Sequence, residues 1–298
     1  MQLDIFEHSR DTMLRNDVLH ALERGEVGAA TAACERFVGE YPVDQSLLAL
    51  ARLIAALEQR SDAPFADHDG LRDARRALAG ETEPAAMSLF GDRAGMAWLV
   101  PFWRGLAQRA APLAFRADRP EDHAAALWLH AGEWALAADA VARIESWRQI
   151  PVPLAWMTEA RCRSSAPAGG LPAHWALLAE LAWLAPARFD ALTRRLADPA
   201  INKLRKQFDA GFEALEECAG NLTDLAWLPA WALIEQPALA HWLGQAQASL
   251  HSEPERAMRL ILDLLSLERQ GRHHDLVAKR KLLRDLQPSV YGAYIKTR

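Results

Sequence analysis

The chain has 298 residues, of which 51% are hydrophobic and 24% charged, and its net charge at pH 7 is −5. That length can bury a core for one large or two smaller domains, and the balance lies far from disordered composition. The acidic sign argues against a surface that binds nucleic acid or anionic lipid over its whole extent.

Chain order begins with Met1-Gln2-Leu3-Asp4, which carries acid where a secretion signal needs a basic start and an apolar run. The apolar stretches at 95–103 and 174–185 are too short to span a bilayer, and the second contains Glu180. A soluble protein of the cytoplasm, without a membrane partner, is expected. Cys34, Cys162 and Cys218 are far apart and lack CxxC spacing. They read as small buried hydrophobes in a reducing compartment, not as a disulfide framework or zinc site.

Strand signals are nearly absent: Val, Ile and Thr are sparse, alternation is not sustained, and no Asn-Gly or Asp-Gly turn occurs. Ala, Leu, Arg and Glu dominate, punctuated by proline and glycine at helix-length intervals. The pattern predicts helices over 9–24, 27–40, 44–60, 70–78, 84–91, 96–110, 120–130, 134–147 and 153–163. Further helices are predicted over 172–185, 188–196, 199–219, 222–234, 237–249, 252–270, 273–286 and 288–296. The expected fold is all-α, a single array over 1–298 with a soft lobe boundary at the linker-like stretch 164–172.

Three segments share a hairpin signature. The first is Gly25, Val27, Ala30, Cys34, Phe37 and Pro42; the second is Gly132, Trp134, Ala137, Val141 and Ile144, with Pro151 two places late. The third is Gly271, His273, Leu276, Arg280, Leu283 and Pro288, and in the first and third the glycine and proline stand 17 residues apart. Glycine suits a left-handed cap ending one helix, a small or apolar residue lets the second approach, and proline stops it. These positions resemble the tetratricopeptide repeat over about a third of the chain. The resemblance implies stacked helical hairpins, an irregular α-solenoid whose units bury their apolar faces on one another. Val27 and His273 stand where the family prefers an aromatic, Leu276 where it prefers alanine. The signatures lie 107 and 139 residues apart, not multiples of the ~34-residue period.

The predicted helix 252–270 has apolar residues on two sides, Met258, Ile261, Leu262 and Leu265 against Leu260, Leu264 and Leu267, so it should be packed on both. Ser252 and Glu255 have capping-box spacing. From Arg269 onward the charge is +6, leaving −11 for the rest. On 273–286 the residues His273, His274, Arg280, Lys281 and Arg284 share an arc of about 120°, opposite Leu276, Leu282, Leu283 and Leu286. That arc reads either as a solvated face or as a docking surface for an acidic partner segment. All eleven tryptophans fall between Trp98 and Trp242, and the pairs Trp98/Trp103 and Trp227/Trp231 read either as an aromatic groove or as packing between helices.

His273-His274-Asp275 and Asp67-His68-Asp69 do not predict a metal: adjacent helical residues point about 100° apart, and the second triplet has no further ligands nearby. No GxSxG, HExxH, phosphate loop or dinucleotide fingerprint is present, and no cofactor is expected. The expected function is a protein–protein adaptor or assembly factor that holds a partner segment on a helical surface. The alternative is an α-helical toroid enzyme with a carboxylate-lined cavity, using residues such as Glu133, Asp139 or Glu180.

Overall fold

The computed structural model describes residues 2–164, 171–212, 222–247 and 252–298. Every regular element among them is helical, as the composition predicted. None of these helices is long and apolar enough to cross a membrane. The chain divides into two compact units, Met1–Glu133 and Trp134–Arg298. The division falls inside the second hairpin signature. Residues 165–170 of the stretch read as a soft boundary lie outside the described residues, as does Cys218.

The first unit contains α1 (Gln2–Glu23), α2 (Val27–Glu40), α3 (Leu47–Glu58), α4 (His68–Ala77), α5 (Glu83–Phe90), α6 (Asp92–Ala110) and α7 (Ala124–His130). A single π turn, Leu78–Thr82, joins α4 to α5. Each helix from α1 to α3 packs on its neighbour, then α3 on α5, α5 on α6 and α6 on α7. Val18, Leu22, Phe37, Leu50, Leu53, Leu71 and Leu99 form the fully buried interior. Gly95 sets the α5–α6 spacing, since a Cβ there would stand 2.9 Å from the carbonyl oxygen of Ala86.

The helix predicted over 120–130 begins later. Pro120–Asp122 forms a 3-10 turn and His123 is extended, with φ −130° and ψ 144°. His123 is therefore the N-cap of α7, and its Nδ1 accepts the Ala125 N–H at 3.2 Å.

The second unit contains α8 (Trp134–Ala142), α9 (Pro151–Ser164), α10 (Trp175–Leu184), α11 (Pro186–Leu196), α12 (Pro199–Gly211), α13 (Leu228–Glu235), α14 (Ala240–Leu243), α15 (Glu253–Arg269), α16 (His273–Leu286) and α17 (Pro288–Lys296). Prolines at the first or second position start α11, α12, α13, α15 and α17, where their missing N–H has no helical partner anyway. The predicted helix 237–249 is broken up: a 3-10 turn, Pro237–Leu239, precedes the four-residue α14. α13 is buried from Leu228 to Ile234 and packs on α10, α12, α15 and α17. A helix apolar all round must be enclosed. α15 is covered on two sides by α13 and α16, as its two apolar stripes require.

The three signature glycines make the same turn. Gly25, Gly132 and Gly271 have φ of +69°, +73° and +69°. In each, the glycine N–H bonds the carbonyl three residues back: Leu22, Leu129 and Glu268, at 3.0, 3.1 and 3.1 Å. The next N–H reaches five back, to Ala21, Trp128 and Leu267, at 3.0, 2.9 and 3.1 Å. This pair of bonds is a Schellman cap. The following helices α2, α8 and α16 all start two residues after the glycine, and the apolar positions Ala30 and Phe37, Ala137, Val141 and Ile144, and Leu276 and Leu283 are buried.

Candidate functional site

The basic arc of α16 is partly an outward face. His273, His274, Lys281 and Arg284 are exposed. Arg280 is not among them. Its Nη2 lies 3.3 Å from Glu268 Oε1 and its Cζ sits 5.7 Å from the Tyr294 ring centroid. The geometric arc placed it with the others, but its long stem lets the guanidinium turn along the helix toward an acid. Arg298 Nε holds the other Glu268 oxygen at 3.1 Å, and the Tyr294 hydroxyl donates to Glu268 Oε1. Burial, then the Glu268 carboxylate, raises the Tyr294 pKa above its ordinary value. This network ties α15, α16 and the C-terminus together. At the centre of the exposed arc stands Val277, 70% exposed. The face is therefore apolar at its centre as well as basic.

The tryptophan groove is not what these residues build. Trp103, Trp227 and Trp231 are only 4%, 8% and 5% exposed. Trp103 stacks on the His130 ring at 4.8 Å, and Trp231 meets Phe208 edge-on at 5.7 Å. Trp98 is half-buried, and its indole N–H donates at 2.9 Å to the Leu22 carbonyl, joining α6 to the end of α1. Large rings fill the gaps between helices, and the one with a polar partner is used as a staple.

A different surface is open in the first unit. Between α2 and α3 runs a mainly apolar groove of about 440 Å³, lined by Cys34, Val38, Ile54 and Ala55 with Glu35 and Glu58 at its edges. Val38, Val43 and Leu48 are exposed large hydrophobics of the same helices and their connection. The Cys34 thiol faces this groove with its pKa raised by burial, so it is held protonated. In the signature this position counted only as a small interior residue. Its neighbour Val38 carried no pattern that could have marked the groove.

The carboxylates named from sequence have separate roles. Glu133 pairs with Arg104, and Asp139 faces solvent. Glu180 is buried: its Oε1 accepts the Gln247 N–H at 2.7 Å and lies 3.6 Å from Arg148 Nη1. Burial raises its pKa, the Gln247 N–H and Arg148 oppose that, and the nearby Glu255 carboxylate adds to it. Glu255 departs from the capping-box reading. Ser252 Oγ does accept the Glu255 N–H at 3.4 Å, but the Glu255 side chain turns into the interior onto Arg259 at 2.9 Å. Its Oε2 is buried with no hydrogen-bond partner. Asp67, His68 and Asp69 are occupied in local structure: Asp67 caps α4, His68 Nε2 is 2.8 Å from the Ala114 carbonyl, and Asp69 pairs with Arg119 and Arg72. Among the described residues no group of three His, Cys, Asp or Glu side chains could hold a metal ion.

No family model, curated protein or solved structure matches this chain.

Proposed function

We propose that the protein is a cytoplasmic adaptor or assembly factor, built on tetratricopeptide-like hairpins, that holds a segment of a protein partner on a helical surface. The observation that carries this reading is the α2–α3 groove, an open apolar channel between two helices with Val38 and Leu48 left exposed. A contiguous apolar channel of this kind suits the apolar face of a helix, with anchors three and four residues apart. The acidic rim of Glu35 and Glu58 favours a segment that flanks its apolar anchors with Lys or Arg. Independently, the basic and apolar face of α16 around Val277, Lys281 and Arg284 suits an acidic segment.

The test is quantitative affinity capture from the native cell with the full chain, Val38→Asp, and a Lys281→Glu/Arg284→Glu double variant. All three should fold alike, since these side chains are exposed. The reading expects at least one partner to be lost tenfold or more in Val38→Asp while α16-dependent partners respond only to the double variant. Identical partner profiles for all three proteins at low and physiological salt would refute it.

A further inference from the structure

We propose that the cleft between α3, the π turn and α6 binds a small carboxylate carrying a flat apolar body, a ligand class separate from any protein partner. The cleft encloses about 350 Å³, at the lower end of the roughly 300–1,000 Å³ typical of small-molecule sites. Three arginines line it, Arg60, Arg104 and Arg109, against one acid, Asp62. Arg104 is already paired with Glu133. Arg60 and Arg109 have no carboxylate within ion-pair distance among the described residues.

Both are nevertheless held in place. The Arg60 guanidinium sits 5.4 Å from the Phe102 ring centroid, and that of Arg109 sits 3.9 Å from the Phe65 ring centroid. Arg109 Nε also donates to the Ala63 carbonyl at 2.8 Å, while the Phe65 N–H bonds the Arg109 carbonyl at 3.1 Å. A guanidinium resting over a ring keeps N–H donors free, so Arg109, fixed by ring and hydrogen bond, is preorganised for a planar acceptor, and the more exposed Arg60 can close on it from the other side. Phe102, Leu78, Leu106 and Pro101 supply the apolar wall. Two backbone irregularities meet there: the π turn at Leu78–Thr82, and Pro101 inside α6. Proline deprives the Ala97 carbonyl of its helical donor, and π turns, which widen a helix locally, recur at functional sites. The Asp62 carboxylate on the lining disfavours a dianion and so favours a carboxylate over a phosphate.

Gly105 provides a clean way to fill the site. It lines the cleft from within α6, and a Cβ built on it meets nothing within 4 Å. Gly105→Leu should occupy the cleft and raise rather than lower the melting temperature, because glycine is a poor residue inside a helix. Isothermal titration of the full chain with 2-naphthoate should show one saturable site. The neutral 2-naphthamide, and 2-naphthoate on Arg60→Gln, should each bind at least tenfold more weakly, and Gly105→Leu should abolish binding with its helical circular dichroism intact. The proposal is overturned if naphthoate shows no saturable binding, if the amide binds equally, or if Gly105→Leu binds undiminished. Tighter binding of 2-naphthyl phosphate than of the carboxylate would overturn the assignment of ligand class.

Discussion

Acid should loosen the first unit through one residue, His123. Its ring is buried, it caps α7 through an Nδ1 that must be unprotonated to accept the Ala125 N–H, and Phe115 packs edge-on against it at 5.7 Å. Burial, aided by the like charge of His68, lowers its pKa from 6.5 to about 4. A base with a depressed folded pKa stays neutral in the native protein and takes up its proton only on unfolding. Its stabilising contribution is therefore full above pH 6.5 and is lost as pH falls through the window from 6.5 to about 4. The shift corresponds to about 3 kcal/mol at the acid limit, and about 2 kcal/mol by pH 5. His123→Asn supplies a cap that does not titrate. The assay is hydrogen exchange of the α7 amides in the full chain across pH 7.5 to 4.5, corrected for intrinsic rates, beside the His123 imidazole titration by NMR. Wild-type protection should fall more steeply toward low pH than that of the variant. An imidazole titrating near 6.5, or parallel protection curves, would refute the reasoning.

Glu180→Gln keeps an oxygen for the Gln247 N–H and removes a charge held mainly against the penalty of burial. An acid whose folded pKa is raised stabilises below its unfolded pKa and loses that contribution as pH rises. Denaturant melts should thus find the variant more stable than wild type at pH 7, with the gap closing toward pH 4; a gap of opposite sign would show that Arg148 and Arg259 dominate. Burial pushes the Cys162 thiol from 9.0 up to about 12, so its thiolate at pH 8 should be about a thousandfold scarcer than in the unfolded chain. Cys162 is half-buried, so peptide mass spectrometry after iodoacetamide should find it far slower to react in the native protein than after denaturant is added, and equally fast native alkylation would contradict the raised thiol pKa. Gly271→Ala forces a side chain to φ +69° where no neighbour crowds it, so the loss should be pure backbone strain of about 1 kcal/mol. A neutral melt would mean that the turn relaxes out of the left-handed region.

Local chemistry made much of the fold readable from the chain alone. The absence of strand signals, the proline starts and the three glycine turns depend on residues within a few positions of one another, and each recurs in the structure. The two-sided stripe of α15 was also visible, because helical periodicity reports how many neighbours a helix must have. Side chains that act over long separations were not. Glu255 has capping-box spacing, yet it lies inside beside Glu180, 75 residues earlier. Nothing within its own turn distinguishes these outcomes. Arg280 lies on the same helical arc as Lys281 and Arg284, but Glu268 and Tyr294 draw it away. The tryptophans carry no sequence mark separating wall from groove; the rings of Phe208, Phe212 and His130, brought in by packing, decided it. The sequence by itself determined that the chain is helical and where its tight hairpin turns fall, because caps, breakers and periodicity act within one or two turns of helix. Only the tertiary structure decided which charges stay unpaired and where a cleft opens, because both depend on which distant residues the packed helices bring together.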